Sequence, residues 1–235
     1  MRLPFLRCVV VFALAHAVPL FADDPVRWNA VTECQMVVLP QKAALALLPE
    51  LQDDAKIDAA FAKLQTMIAA GEAQLAANLV AKSIAGQKST AESVEEMKYA
   101  TEYDPPIFPD KIPKENPIEF LKAWPVNGPT PRGFAERKFG ATMESQPSAA
   151  EDGRWIDVAI TLEHSRFLRW NKFDSGILST GKAVSFEQPH FHSLKNIASI
   201  RLRNGQRILV GVHKLAPPET AFELFLLRVV ARKAE

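Results

Sequence analysis

From Phe134 to the C-terminus, apolar and polar side chains alternate with a period of two. Phe139, Ala141 and Met143 alternate with small or polar residues, and Ile156 to Leu162 follows the same pattern strictly. Because successive side chains of a strand point to opposite faces, this pattern predicts strands with one buried and one solvated face. We therefore expect the second half of the chain to fold mainly as β-sheet.

Two glycine-containing turns predict how these strands connect. Asn204-Gly205 separates two strand-like stretches, 200–203 and 207–212. Asn-Gly between apolar strands favours a hairpin with a type I′ turn. Ala85-Gly86-Gln87 lies between 79–83 and 89–99 and predicts another β-hairpin.

The last predicted strand, Ala221 to Ala231, is apolar on both faces. A strand of this kind is covered on both sides or paired with another chain. It is therefore either central in the fold or part of an interface.

Ahead of the β-region, residues 23–71 predict a small helical unit. Ala and Leu are frequent from Ala43 to Ala70, and Ile57, Phe61, Leu64 and Ile68 repeat at helical spacing. A helix from Gln41 is expected to stop at Pro49. The fold class is thus α+β, mainly β, with a β-domain over 72–235. Within that domain, eight prolines in residues 104–131 predict a long surface connection.

The N-terminus has the features of a secretory signal peptide. Arg2 and Arg7 precede a short apolar run, and Ala22 precedes the acidic pair Asp23-Asp24. The run is shorter and more Pro-interrupted than a transmembrane helix. We expect export and removal of residues 1–22, with cleavage after Ala17 as the alternative.

Composition and motifs exclude several functional classes. A net charge of +1 excludes a strongly basic nucleic-acid binder. The sequence lacks nucleophile-elbow, zinc-protease and phosphate-loop motifs, so we expect no enzyme and no cofactor. His190 and His192 share one strand face and are weak metal candidates, with His213 or His164 as a third ligand. Without a carboxylate or Cys at ligand spacing, we expect no metal.

Six short segments, in order, resemble a known family. They are the turn at Gly86-Gln87-Lys88, Phe139-Gly140-Ala141-Thr142-Met143-Glu144, Glu151-Asp152-Gly153 with Ile156-Asp157-Val158, Pro189-His190-Phe191, Asn204-Gly205-Gln206-Arg207 with Leu209-Val210-Gly211, and Glu223-Leu224-Phe225-Leu226-Leu227. Their order from about Ala60 to Val230 is similar to the core β-domain of secretins, the ring-forming outer-membrane proteins of type II and III secretion systems. The resemblance implies a two-layer β-domain with structural signature positions at Gly86, Gln87, Gly140, Gly153, Asn204, Gly205 and Gly211.

The chain also departs from the secretin pattern. Val212 stands where the family has a second glycine after the signature strand, and His192-Ser193 stands where it has Thr-Arg. We expect a secretin-like core alone, because the ring-building modules and the membrane-inserting lip after Leu215 have no counterpart.

This resemblance implies a non-enzymatic assembly component of secretion or pilus-type machinery. We expect a periplasmic protein, either free in the periplasm or associated with the outer membrane, without a membrane span of its own. Its partners would be further copies of itself or other envelope proteins, with strands such as Ala221 to Ala231 and Ile156 to Leu162 continuing between subunits. The alternative is a monomeric periplasmic binding module in which the strands close as a β-sandwich.

Overall fold

The computed structural model describes residues 27–105, 110–123, 129–177 and 183–234. The predicted signal peptide and parts of the Pro-rich connection lie outside the described residues. In the described part of the chain, no helix is long and apolar enough to cross a membrane.

The described residues form strands with three short helices among them. Their order is β1 (Trp28–Pro40), α1 (Gln41–Leu51), α2 (Ile57–Ala69), β2 (Gln74–Ile84), β3 (Ser89–Ala100), β4 (Tyr103–Asp104), α3 (Pro117–Ala123), β5 (Thr130–Pro131), β6 (Phe134–Ala149), β7 (Trp155–Ile177), β8 (Ala183–Arg203), β9 (Arg207–Lys214) and β10 (Ala221–Lys233). The α+β, mainly β prediction is confirmed.

Two four-stranded antiparallel sheets dominate the fold. Sheet A has the order β2-β1-β10-β9 and sheet B the order β3-β6-β7-β8, while β4 and β5 form a short separate pair. Short turns join β2 to β3 and β8 to β9. These turns place β2 and β3 at one side of the two-sheet stack and β9 and β8 at the other.

Two hydrophobic clusters hold the layers together. Between the sheets, Met36 and Phe225 of sheet A pack with Met143 and Leu162 of sheet B. On the other face of sheet A, α1 and α2 cover a second cluster that contains Leu39, Leu47, Leu64, Leu224 and Leu226. The helices thus form a third layer over part of sheet A.

Both predicted helices are present, although α1 does not stop at Pro49. It runs to Leu51, which is fully buried, and Gln52 N–H still donates to Leu48 O at 3.0 Å. Pro49 removes one backbone donor, but packing of Leu51 holds the last turn in place. In α2, Ile57 and Leu64 of the predicted stripe are buried.

The two predicted hairpins are wrong, because each turn crosses between the sheets. The turn at Gly86 leads from β2 in sheet A to β3 in sheet B, and Asn204-Gly205 leads from β8 in sheet B to β9 in sheet A. Gly205 has a φ of 82°, but Asn204 does not share the positive φ that a type I′ turn requires. Gln206 N–H donates to Arg203 O at 2.9 Å, which closes a different turn.

Strand β10 is covered on both faces, as its sequence predicts. Phe225 and Leu227 point into the core between the sheets, and Leu224 and Leu226 lie under the helices. However, β10 lies between β1 and β9, and β7 lies between β6 and β8. The prediction that Ala221 to Ala231 and Ile156 to Leu162 provide open edges is therefore wrong. Among the described residues, the outermost strands are β2 and β9 in sheet A and β3 and β8 in sheet B.

Strand β1 is an element that the sequence analysis missed. It pairs with β10 along its whole length and with β2 on its other side, so residues 28–40 are built into the centre of sheet A. Its burial alternates through Ala30, Thr32, Cys34 and Met36 until a bulge at Met36/Val37. Because several residues on its buried face are small or polar, the sequence does not show the alternation of apolar and polar residues that identifies a strand.

Candidate functional site

One end of the core between the sheets is polar. Glu223 of β10 is fully buried, and its Oε1 lies 2.6 Å from Nδ1 of His164 in β7. His164 is 8% exposed. Because a buried charge is costly unless it is paired, this contact ties sheet A to sheet B.

Two more histidines belong to this buried polar cluster. His213 of β9 lies directly opposite Glu223 in the strand register, and its ring centroid is 4.9 Å from that of Phe225. Burial lowers the pKa of His213, Glu223 opposes this shift, and His192 of β8 adds to it. Nδ1 of His192, Nε2 of His213 and Oε2 of Glu223 are buried and have no hydrogen-bond partner among the described residues.

A partly buried ion pair lies beside the polar end of the core. Arg166 of β7 donates to both carboxylate oxygens of Glu219, at 3.0 and 3.2 Å. Arg166 is also the register partner of His192. The fork-like contact joins the loop before β10 to sheet B.

The two weak metal candidates do not share one environment. Nδ1 of His190, which is exposed, lies 3.3 Å from Nδ2 of Asn171, whereas His192 belongs to the buried polar cluster. Among the described residues, no three His, Cys, Asp or Glu side chains are arranged to hold a metal ion.

We predict that acid destabilises the fold through His213. Its folded-state pKa lies below the usual value of 6.5, so the unfolded chain binds the proton more readily. The stabilisation is present above about pH 6.5 and is lost as the pH falls through the lower, folded-state pKa. Urea midpoints at pH 5.5 and 7.5 should differ, and His213→Leu should narrow that difference. An equal difference in the variant would exclude His213 as the cause.

The signature positions from the sequence lie at turns, bends and the seam between the sheets. Gly86 N–H donates to Pro147 O, and Gly86 O accepts from Gln146, so this turn is fastened to β6. Gln87 N–H closes the turn onto Ile84 O at 3.0 Å. Gly153 lies against the Trp28 ring, which a Cβ would overlap.

Gly140 marks the point where sheet B divides. Residues 134–139, on the N-terminal side of Gly140, pair with β3 but no longer with β7. The pairing of β6 with β7 ends at Gly140 and Ser165. The β7–β8 hairpin continues on its own, and Phe139 of β6 packs on Phe191 of β8 with centroids 5.7 Å apart. A groove of about 580 Å³ lies at the division.

Asn204 and Gly211 lie at the seam where β8 passes to β9. The Asn204 side chain accepts from Ala231 N–H at 2.9 Å and donates to Ala231 O at 2.8 Å, as a neighbouring strand would. It also donates to Gly153 O at 2.9 Å. At Gly211, a Cβ would overlap Asn196, which donates to Val210 O.

We predict that Asn204→Ala destabilises the fold by about 2 kcal/mol or more, because it leaves three partly buried backbone groups of Ala231 and Gly153 unpaired. Gln206→Ala is the control, since Gln206 makes one exposed contact, with Arg203 N–H. Chemical denaturation measures both variants. Similar small losses would show that the Asn204 contacts do not stabilise the seam.

The outer strands of sheet B differ in charge. Strand β3 presents the exposed carboxylates Glu92, Glu95 and Glu96. Strand β8 presents the exposed cations Lys195, Arg201 and Arg203, of which Lys195 also pairs with Glu163 and Arg201 with Asp157 in β7. One edge of sheet B is therefore mostly acidic and the opposite edge mostly basic.

Comparisons of sequence find no matching family model and no matching curated protein. Comparison of structure finds the InvG secretin domain β-barrel of the Salmonella SPI-1 injectisome, with 9% identity, a TM-score of 0.34 and coverage of 89% of this chain and 61% of that one. It also finds the enterotoxigenic E. coli pilotin-secretin AspS-GspD complex, with 10% identity, a TM-score of 0.38 and coverage of 90% and 50%.

A third match is the V. cholerae type IV competence pilus secretin PilQ, with 9% identity, a TM-score of 0.30 and coverage of 89% and 58%. The chain is similar to secretin structures. It spans less than two thirds of the length of each of these three chains.

Sequence reasoning missed the pairing of Glu223 with His164. The two residues are 59 positions apart, and only the stacking of the two sheets brings them together. One signal was available: Glu223 is an acidic residue in a strand predicted to be covered on both faces. A carboxylate at such a position requires a buried partner.

Proposed function

We propose that this protein is a non-enzymatic structural component of the bacterial envelope that assembles through its open sheet edges. It is exported by the signal peptide at residues 1–22 and acts in the periplasm or at the outer membrane, in machinery of the secretion or pilus type. The assembling unit is the β-domain of residues 72–235 together with the segment before it. Its partners are further copies of the same chain or other envelope proteins.

The observation that supports this proposal best is the arrangement of the four outermost strands. In each sheet all neighbours are antiparallel, so the two outer strands, β2 and β9 or β3 and β8, run in opposite directions. A second copy placed beside the first can therefore continue both antiparallel sheets. Strand β3 of the second copy then lies antiparallel to β8 of the first copy, and β2 of the second copy lies antiparallel to β9 of the first copy. Repetition of one such contact around an axis removes the open edges.

Charge favours the same head-to-tail orientation. The carboxylates of β3 on one copy would face the cations of β8 on the next, whereas contact of two β3 edges or two β8 edges would bring like charges together. Opposite charges on facing strands stabilise a pair and like charges destabilise it. Charge thus favours an assembly in which β8 of one copy lies beside β3 of the next copy.

A charge-swap experiment tests the proposal. Glu92→Lys/Glu95→Lys and Lys195→Glu/Arg203→Glu should each reduce the assembled mass measured by light scattering. The four changes together in one chain should restore it, because the edges are again opposite in sign. Glu72→Lys, in the exposed turn after α2, is the control and should have no effect. Failure of the fourfold variant to recover, with each double variant folded, would contradict edge pairing of β3 with β8.

The monomeric binding module remains the second candidate. One chain already forms two stacked sheets with a shared core, which is the sandwich that this candidate requires. A mass equal to one chain at every concentration would favour it.

A further inference from the structure

Among the described residues, the helices cover only part of the outer face of sheet A. Helices α1 and α2 cover the half of the outer face that contains Leu39 and Leu224. The other half, here called the bare face, holds nine residues in three cross-strand rows: Ile84–Asn29–Arg232, Lys82–Val31–Val230 and Val80–Glu33–Arg228.

The bare face combines exposed apolar side chains with cations. Val80 and Ile84 are 51% and 43% exposed, and Val31 and Val230 form the partly buried middle row. Its three cations are Lys82, Arg228 and Arg232, all exposed, and its one carboxylate is Glu33. In the described part of the chain, none of these three cations forms an ion pair with a carboxylate.

A fourth cation lies at the border between the bare face and the helices. Arg207 is the register partner of Arg228, and its guanidinium carbon lies 3.4 Å from the centroid of the Phe61 ring in α2. Arg207 is 8% exposed, and its Nε has no hydrogen-bond partner in the part of the chain that the structure describes. In the described part of the chain Arg207 forms no ion pair, although Glu33 and Asp58 lie close enough to attract its charge.

The dimensions of the bare face fit one helix. Five residues of β1, from Asn29 to Glu33, span about 13 Å, and three neighbouring strands span about 10 Å between their outer axes. An α-helix with its side chains is about 10 to 12 Å wide. A groove of about 730 Å³ follows this surface along β1 and β10.

We propose that the bare face binds one acidic amphipathic helix of a partner protein, which lies beside α2 and completes the helix layer. Its apolar stripe packs on Val31, Val80, Ile84 and Val230, and its acidic flanks face Lys82, Arg228 and Arg232. Sheets bury their apolar faces under helices or under other sheets. A flat membrane is a poorer fit, because α1 and α2 rise from the same face and form a step beside it.

A display library tests this proposal with a probe of known chemistry. The library consists of amphipathic helices with a fixed leucine stripe and flanking positions randomised between Glu and Lys. Selection on the full protein should enrich Glu at the flanks. Affinity of the enriched helices should fall at least about tenfold for Arg228→Glu/Arg232→Glu.

The matched control is Lys42→Glu/Lys172→Glu, which changes the net charge equally at two exposed cations away from the bare face. The enriched helices should bind this control variant with the same affinity as the unchanged protein. Selection without a preference for Glu, or binding that Arg228→Glu/Arg232→Glu leaves intact, would overturn the proposal. Two other results would also overturn it. If Arg228→Glu/Arg232→Glu altered only the oligomeric mass of the protein, the occupant would be a second copy of the chain. If the variant altered only binding to phosphatidylglycerol vesicles, the occupant would be a membrane.

Discussion

Gly140→Ala is expected to destabilise the protein by roughly 2 to 6 kcal/mol. Gly140 has a φ of 130°, where a side chain is strained at a cost of about 1 to 3 kcal/mol. A Cβ would also overlap the backbone of Ser93 and Val94 in β3, and such overpacking costs about 1 to 3 kcal/mol more. The neighbouring atoms are backbone, so they cannot rotate away. Thermal or urea denaturation measures the loss.

Gly205→Ala separates these two causes. Gly205 also has a positive φ, 82°, but no atom of the described residues lies within 4 Å of a Cβ placed there. This variant should lose only about 1 to 2 kcal/mol, the cost of a left-handed residue. A Gly140→Ala protein as stable as Gly205→Ala would show that β6 does not approach β3 as closely as described.

Glu223→Ala is expected to cost about 3 to 5 kcal/mol, as removal of one partner of a buried pair does. Its side chain is 0% exposed and lies 2.6 Å from His164. The change leaves His164 without its partner and opens a cavity between the sheets. Denaturant midpoints at pH 7.5 measure the effect.

Two further variants test the cause of that loss. His164→Leu/Glu223→Leu should be more stable than Glu223→Ala, since replacement of both partners by apolar groups removes the unpaired group. Asp157→Ala removes a partner at a similar distance, 2.7 Å from Arg201, but this pair is exposed and its loss should have little effect. If Glu223→Ala were as mild as Asp157→Ala, the carboxylate of Glu223 would not be buried.

The sequence predicted individual strands and helices well, because alternation and helical spacing depend only on residues that are close together in the chain. Alternation from Ile156 to Leu162 correctly identified the buried face of β7, and the two-sided apolar pattern of β10 correctly predicted that both its faces are covered. The spacing of Ile57 and Leu64 identified the buried stripe of α2. Each of these patterns depends on side chains a few residues apart.

Strand pairing was predicted less well, because the same turn residues can serve two geometries. Asn204-Gly205 reverses the chain whether the next strand pairs within sheet B or moves to sheet A. The choice depends on contacts of Asn204 with Ala231 and Gly153, which are distant in sequence. The open edges and the buried polar cluster follow from that choice, so the alternation of residues alone could not predict them.

The central claim, that open edges join copies of the chain, is tested most directly by the mass of the native protein. Light scattering coupled to size exclusion, on protein purified from its exported fraction, should give several chain masses. That number should stay constant as concentration rises, because repeated β8-to-β3 contacts close on themselves. A mass of one chain at every concentration would contradict the claim.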